Sequence, residues 1–128
     1  MFLKSVHHIA IICSNYEVSK RFYVEVLVLK IISETFRKDR DSHKLDLSLN
    51  GQYIIELFSF PSPPERPSRP EAVGLRHLAF EVDDIGKTIA NLNQKGVETE
   101  AVRIDAGTQK RFTFFEDPDG LPLELYEK

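Results

Sequence analysis

The sequence predicts an α+β protein made of two tandem βαβββ modules. Three observations predict it. His7-His8-Ile9-Ala10-Ile11-Ile12-Cys13-Ser14-Asn15 has a near copy in Arg76-His77-Leu78-Ala79-Phe80-Glu81-Val82-Asp83-Asp84. Each puts a histidine at the head of an apolar strand, alanine two residues on, then polar turn residues and a helical pattern. A second pair, Ile54-Ile55-Glu56-Leu57-Phe58 and Pro122-Leu123-Glu124-Leu125-Tyr126, embeds a glutamate in an apolar strand. The spacing repeats as well: His8 to Glu56 is 48 residues and His77 to Glu124 is 47.

Taken in order, residues 6 to 13 form a strand with Val6, His8, Ala10 and Ile12 on one face and His7, Ile9, Ile11 and Cys13 on the other. Both faces are largely apolar, which predicts cover on both sides. Ser14 or Asn15 is placed to cap a helix over Tyr16–Leu27, with Val18, Phe22, Tyr23, Val26 and Leu27 along one stripe. Strands follow over Leu29–Arg37 and Lys44–Leu49, the second alternating leucine with Lys44, Asp46 and Ser48. Asn50-Gly51 is a hairpin turn signal leading into Tyr53–Phe60, where Ile54, Glu56 and Phe58 share a face. Module one therefore spans residues 1–60.

Residues 61–73 are a connector, with five of the seven prolines between Pro61 and Pro70; such a run sustains neither ladder nor helix. Module two, residues 74–128, repeats the order. A strand over Leu75–Val82 ends at Asp83-Asp84, and a helix over Ile85–Lys95 stops at Gly96. Strands over Glu98–Ile104 and Arg111–Phe115 precede the turn Glu116-Asp117-Pro118-Asp119-Gly120 and a last strand over Leu121–Tyr126.

The 128 residues fit one compact domain, and a formal charge of −3 gives no sign of a nucleic-acid or membrane-binding surface. Met1-Phe2-Leu3-Lys4 runs into the first strand without a basic-then-apolar leader. A single cysteine, Cys13, forms no internal disulfide. The expected location is the cytoplasm.

A carboxylate between Ile54 and Phe58 is costly to keep ionised without a partner. A divalent cation would solve that, and imidazole with carboxylate suits zinc, nickel, manganese or iron. Alone, any of these histidines is more often a packed or hydrogen-bonded residue, and either glutamate could face solvent. The joint match in identity, strand position and spacing instead points to a cluster of His8, Glu56, His77 and Glu124 with open positions for water or substrate. His7 falls on the opposite face and reads as structural; His43 sits among charges and reads as solvated.

These motifs resemble the vicinal oxygen chelate superfamily, the glyoxalase I, bleomycin-resistance and extradiol-dioxygenase group. The resemblance covers essentially the whole chain. It rests on His8-Ile-Ala-Ile, Phe22-Tyr23, Ile55-Glu56-Leu57, His77-Leu-Ala-Phe-Glu-Val-Asp-Asp, and Phe115-Glu116-Asp117-Pro118-Asp119-Gly120 before Leu123-Glu124-Leu125. It is most similar to short glyoxalase I-like bacterial proteins. The resemblance implies a curved sheet around one divalent ion per site, zinc or nickel first and manganese or iron as alternatives. It also implies a lyase or isomerase acting on a small substrate with vicinal oxygens, through an enolate or similar oxyanion, and a homodimer.

Glu124 is expected to move the proton, with Glu56 as the alternative, because a shuttle must lie within hydrogen-bond reach of the reacting carbon. Arg37, Arg40, Lys110 and Arg111 are candidates for binding an anionic substrate, against a plain reading as solvated loop charge. A ferrous-iron oxygenase, which in this superfamily would use two His and one Glu, is opposed by the fourth ligand at Glu56, and two further alternatives stand beside this reading. One is thiol-adduct chemistry, either glyoxalase I isomerisation or thiol transfer to an antibiotic. The other is a metal-poor resistance protein that sequesters its ligand.

Two departures from the resemblance matter. Glutathione-using relatives commonly carry arginine and asparagine four residues after the first metal histidine and glutamate, where this chain has Ile12 and Phe60. The first helix usually ends in Leu-Gly, whereas Leu27 here precedes Val28; a positive φ there would strain valine.

Overall fold

The computed structural model describes residues 2–128 and divides them into two compact units, the first ending at Glu65 and the second spanning Arg66–Lys128. Met1, where the reading of the leader begins, lies outside the described residues. Among the described residues no helix is long and apolar enough to cross a membrane.

The first unit is a four-stranded mixed sheet. Its elements are β1 (Ile9–Cys13), α1 (Tyr16–Arg21), β2 (Lys30–Arg37), β3 (Ser42–Leu49) and β4 (Gln52–Ser59), with strand order β1-β4-β3-β2. β1 runs parallel to β4, and the other neighbours are antiparallel. Asn50 and Gly51 both take positive φ, 50° and 80°, the geometry that closes a tight β3–β4 hairpin. Asn15 caps α1, its side chain accepting from the Val18 amide at 3.2 Å. One face of the sheet buries Ile11, Cys13, Leu45, Leu47, Ile55 and Leu57 with Tyr16, Phe22 and Tyr23 of the helical segment. Each fully buried aliphatic side chain contributes about 2 kcal/mol of transfer free energy.

Sequence and structure differ here in two places, the end of the first helix and the cover over β1. The α-helix stops at Arg21 and continues as a π-helical turn over Phe22–Val26, closed by the Leu27 amide on the Phe22 carbonyl. Val28 follows with φ +61°, so a β-branched residue does occupy the left-handed region there. β1 is covered on one face only: Ile11 and Cys13 are buried, while Ala10 and Ile12 are exposed. Periodicity marks which residues are apolar, not whether a layer lies over them.

The second unit repeats the plan with β5 (Leu78–Val82), α2 (Ile85–Gln94), β6 (Arg103–Ile104), β7 (Arg111–Glu116) and β8 (Pro122–Glu127), in the order β5-β8-β7-β6. Asp84 caps α2 by accepting from the Lys87 amide at 3.0 Å, and Gly96 ends it with φ +82°. α2 buries Ile85 and Leu92. The expected strand over Glu98–Ile104 is paired only at Arg103 and Ile104. Upstream, single bonds from the Glu100 amide to the Phe114 carbonyl and from the Thr113 hydroxyl to the Glu100 carbonyl hold the chain beside β7.

Candidate metal centre

Each unit brings one predicted histidine and one predicted glutamate together. His8 and His77 sit just before β1 and β5. Ala10 is the register partner of Glu56 across the parallel β1–β4 pair, and Ala79 is the register partner of Glu124 across β5–β8. Alanine beside each glutamate leaves space for an imidazole from two residues upstream. His8 Nε2 lies 3.6 Å from Glu56 Oε1, and His77 Nε2 lies 3.3 Å from Glu124 Oε1. The carboxylates are largely withdrawn, with side chains 16% and 13% exposed, whereas the imidazoles are more open.

The surroundings of the two pairs differ. Across β4, Glu56 faces Asp46 of β3, which faces Ser33 of β2. Buried Asp46 accepts from Lys44 at 3.0 and 2.8 Å, from the Tyr53 hydroxyl at 2.5 Å and from Ser33 at 2.7 Å. Burial would raise its pKa, but these donors outweigh that and hold it below the usual value. Lys44 also reaches Glu56 at 3.4 Å, and the Tyr53 hydroxyl reaches it at 3.3 Å. The Tyr53 phenol is pushed well above its ordinary range by burial and by its bond to Asp46.

Glu124 faces an aromatic ring instead. Its register partner on β7 is Phe114, against which His77 packs edge-on with ring centres 5.0 Å apart. The turn before β8 is organised by buried Asp117, whose side chain accepts from the amides of Asp119 and Leu121, both at 2.9 Å.

The polar partners of Glu56 were missed in the sequence for a specific reason. A register irregularity pairs Leu47 with Ile55 but Ser48 with Tyr53, so β4 carries an extra residue at Ile54. Tyr53, three residues before Glu56, thereby reaches the face that strict alternation gave to Ile54. The alternation of Lys44 and Asp46 with leucine reads as a half-solvated strand, because alternation does not reveal pairing within a polar face. His7 is corrected too. Its ring lies against His8 and Tyr53 at 5.1 and 5.2 Å, with 2.9 Å between the two Nδ1 atoms. It precedes β1, where alternation has no hold. His43 is stacked on Tyr16, with ring centres 4.1 Å apart, rather than solvated.

The candidate substrate cations scatter. Arg37 lies on the Glu56 face, its guanidinium 4.8 Å from the Phe58 ring centre. Arg40 ends an exposed 3₁₀ turn, and Lys110 is exposed. Arg111 lies on the face of β7 opposite Phe114, in a two-pronged pair with Glu127 at 2.9 and 2.8 Å. The structure does not bring Arg111 to Glu124.

The donor set fits half a coordination sphere in each unit. Two donors about 2.1 Å from one ion at 90–110° stand about 3.0–3.4 Å apart, close to the 3.3 and 3.6 Å found. No three or more His, Cys, Asp or Glu side chains among the described residues are grouped to hold a metal ion. At His8, the Nδ1 contact with His7 is compatible with a free Nε2 lone pair. At His77, an Arg76 nitrogen stands 3.1 Å from Nδ1, and arginine only donates. Nε2 of the neutral ring then carries the proton, so using Nε2 as a ligand requires His77 to change tautomer and release Arg76.

The chain belongs to the Glyoxalase/Bleomycin resistance protein/Dioxygenase superfamily, whose model matches residues 5–125. The fold is that of glyoxalase family structures. Among its relatives, a Bacillus subtilis (strain 168) protein described as "Uncharacterized protein YwkD" is 66% identical over 128 residues, all of both chains. The crystal structure of a glyoxalase family protein from Enterococcus faecalis superimposes with a TM-score of 0.92 at 53% identity, over 99% of this chain and 100% of that one. A more distant likeness, in fold alone, is a mutant of the fosfomycin resistance protein FosX from Listeria monocytogenes, complexed with Mn(II) and 1S,2S-dihydroxypropylphosphonic acid. Its TM-score is 0.74 at 20% identity, over 98% of this chain and 93% of that one.

Proposed function

We propose that the protein is a divalent-metal-dependent lyase or isomerase acting on a small substrate with vicinal oxygens. The observation that carries this is the repeated pair: His8 with Glu56 and His77 with Glu124, each backed by an alanine in register. The four side chains form the ligand set, one pair from each unit, supplied by one chain or by two chains of a homodimer in the cytoplasm. A bound zinc or nickel ion, or manganese or iron, would act as a Lewis acid on the substrate's oxygens.

The protein's own groups divide the remaining work. Glu56, held by Lys44 and Tyr53, keeps its position. Glu124, beside the Phe114 ring, takes a proton from the carbon next to the substrate oxygens and returns it at its neighbour. Glutathione chemistry is less favoured, because the polar clamp positions are Ile12 and Phe60.

The test is metal analysis of natively purified protein, joined to a turnover screen of α-hydroxycarbonyl compounds and thiol adducts. Expected are one divalent ion per site, and for Glu124→Gln a loss of turnover of about 100-fold or more, on the order given for general acid–base catalysis, with metal retained. Protein without a bound ion would favour ligand sequestration. Undiminished turnover in Glu124→Gln would remove that residue from its role.

A further inference from the structure

We propose that Arg37 is the receptor for an anionic group on the substrate, so that the ligand is an acid carrying its vicinal oxygens at one end and a carboxylate or phosphate at the other. The proposal rests on the reading of His8 and Glu56 as metal ligands, and it adds the substrate class. Register places Arg37 on the same face as Glu56: Glu56 pairs with Asp46 and Asp46 with Ser33, and Arg37 is four residues further along β2.

The guanidinium lies 4.8 Å from the Phe58 ring centre and 5.7 Å from that of Phe60. One terminal nitrogen, Nη2, donates to the neutral Ser42 hydroxyl at 3.0 Å. Nε is buried without a hydrogen-bond partner, and no carboxylate among the described residues stands within ion-pair distance of Arg37. Contrast Lys44 on the same face, whose charge is matched by Asp46 and Glu56. A half-buried cation with an orphaned donor and no counter-ion is a site whose charge balance a ligand completes. The planar fork of arginine suits the two oxygens of a carboxylate or phosphate.

Geometry also limits the ligand's length. Same-face positions along a strand repeat about every 6.8 Å, so a guanidinium over Phe58 stands about 7 Å along the sheet from Glu56. That distance calls for roughly four to six bonds between the chelating oxygens and the anionic group. The Phe58 ring beside the guanidinium favours an apolar stretch next to the ligand's anionic end.

The probes are the monohydroxamates of glutarate and adipate, compared with their terminal amides. Hydroxamate supplies two neighbouring oxygens, and the far end differs only in charge. With metal-loaded wild type, calorimetry should find the carboxylate bound about tenfold or more tighter than the amide. Arg37→Met should erase that difference while leaving metal content and amide affinity unchanged. Arg37→Lys should restore part of it. Equal carboxylate-to-amide ratios in wild type and Arg37→Met would overturn the proposal and leave the metal reading intact.

A second measurement is independent of the metal. In metal-free protein, adipate alone should shift the NMR signal of the Arg37 Nε–H group, assigned by its loss in Arg37→Met, in a saturable way. If hydroxamates fail to bind but this shift occurs, the metal reading falls and the anion receptor stands. If no shift occurs, the receptor falls.

Discussion

Ala10 on β1 stands in register with Glu56 on β4, and that pairing is the device by which this fold sets an imidazole beside a carboxylate. A larger side chain at position 10 would fill the space that the His8 ring uses. Ala79 and Glu124 repeat the relationship, so one local rule, histidine, then alanine two on, beside a parallel strand bearing glutamate, builds both pairs. The two copies are not equivalent. Glu56 is tied to a polar network through Lys44 and Tyr53, whereas Glu124 faces Phe114. The same donor pair therefore sits in a polar setting in one unit and beside an aromatic ring in the other.

The origin of the complete ligand set is open to a complementation experiment. His8→Ala and His77→Ala are each expected to lower metal content at least about tenfold. Co-expressed and purified as a mixed species, they regain up to half the wild-type metal content if each site draws its two pairs from different chains. One intact pair of each kind then meets in the mixed dimer. A site closed within one chain predicts no recovery, since every chain carries a defect.

Arg76 donates to His77 Nδ1, which favours the tautomer with the proton on the nitrogen facing Glu124. Removing that donor makes the other tautomer cheaper. Arg76→Ala is therefore expected to tighten zinc affinity several-fold in competition with a chromophoric chelator. Weaker binding would show that the contact orients the ring for the ion rather than opposing it.

Val28 sits at φ +61° with its side chain exposed, a conformation that costs a β-branched residue about 1–2 kcal/mol. Val28→Gly should raise the stability of the protein by about 1 kcal/mol in urea unfolding, without change in metal affinity. A destabilised variant would mean that the strain is offset by a contact of the valine side chain.

The carboxyl of Glu127 is held below its usual value first by the Arg111 side chain and then by the Ile85 amide at the start of α2. A lowered folded-state pKa contributes stability that is fully present above the unfolded value, 4.5, and is lost as pH falls through the folded one. Glu127→Gln should therefore be less stable than wild type at pH 7 and approach it as the pH is lowered below 4.5. Thermal unfolding across that range reads this out; a constant difference at all pH values would assign the effect to packing.

Much of this molecule was legible in the chain. The duplication of His8-x-Ala10 as His77-x-Ala79, the glutamates at matched spacing and the caps at Asn15 and Asp84 are local signals, because turns, caps and strand alternation depend on neighbours in sequence. From them came the two modules, the strand order along the chain and both His–Glu pairs. Three-dimensional packing decided what no local signal carries. The irregularity at Ile54 turned Tyr53 toward Glu56, and the β2–β3–β4 register placed Arg37 over Phe58 while sending Arg111 to the far face of its own sheet. Pairing across strands joins residues far apart in the chain, so the electrostatic surroundings of each glutamate arise only once the strands have docked.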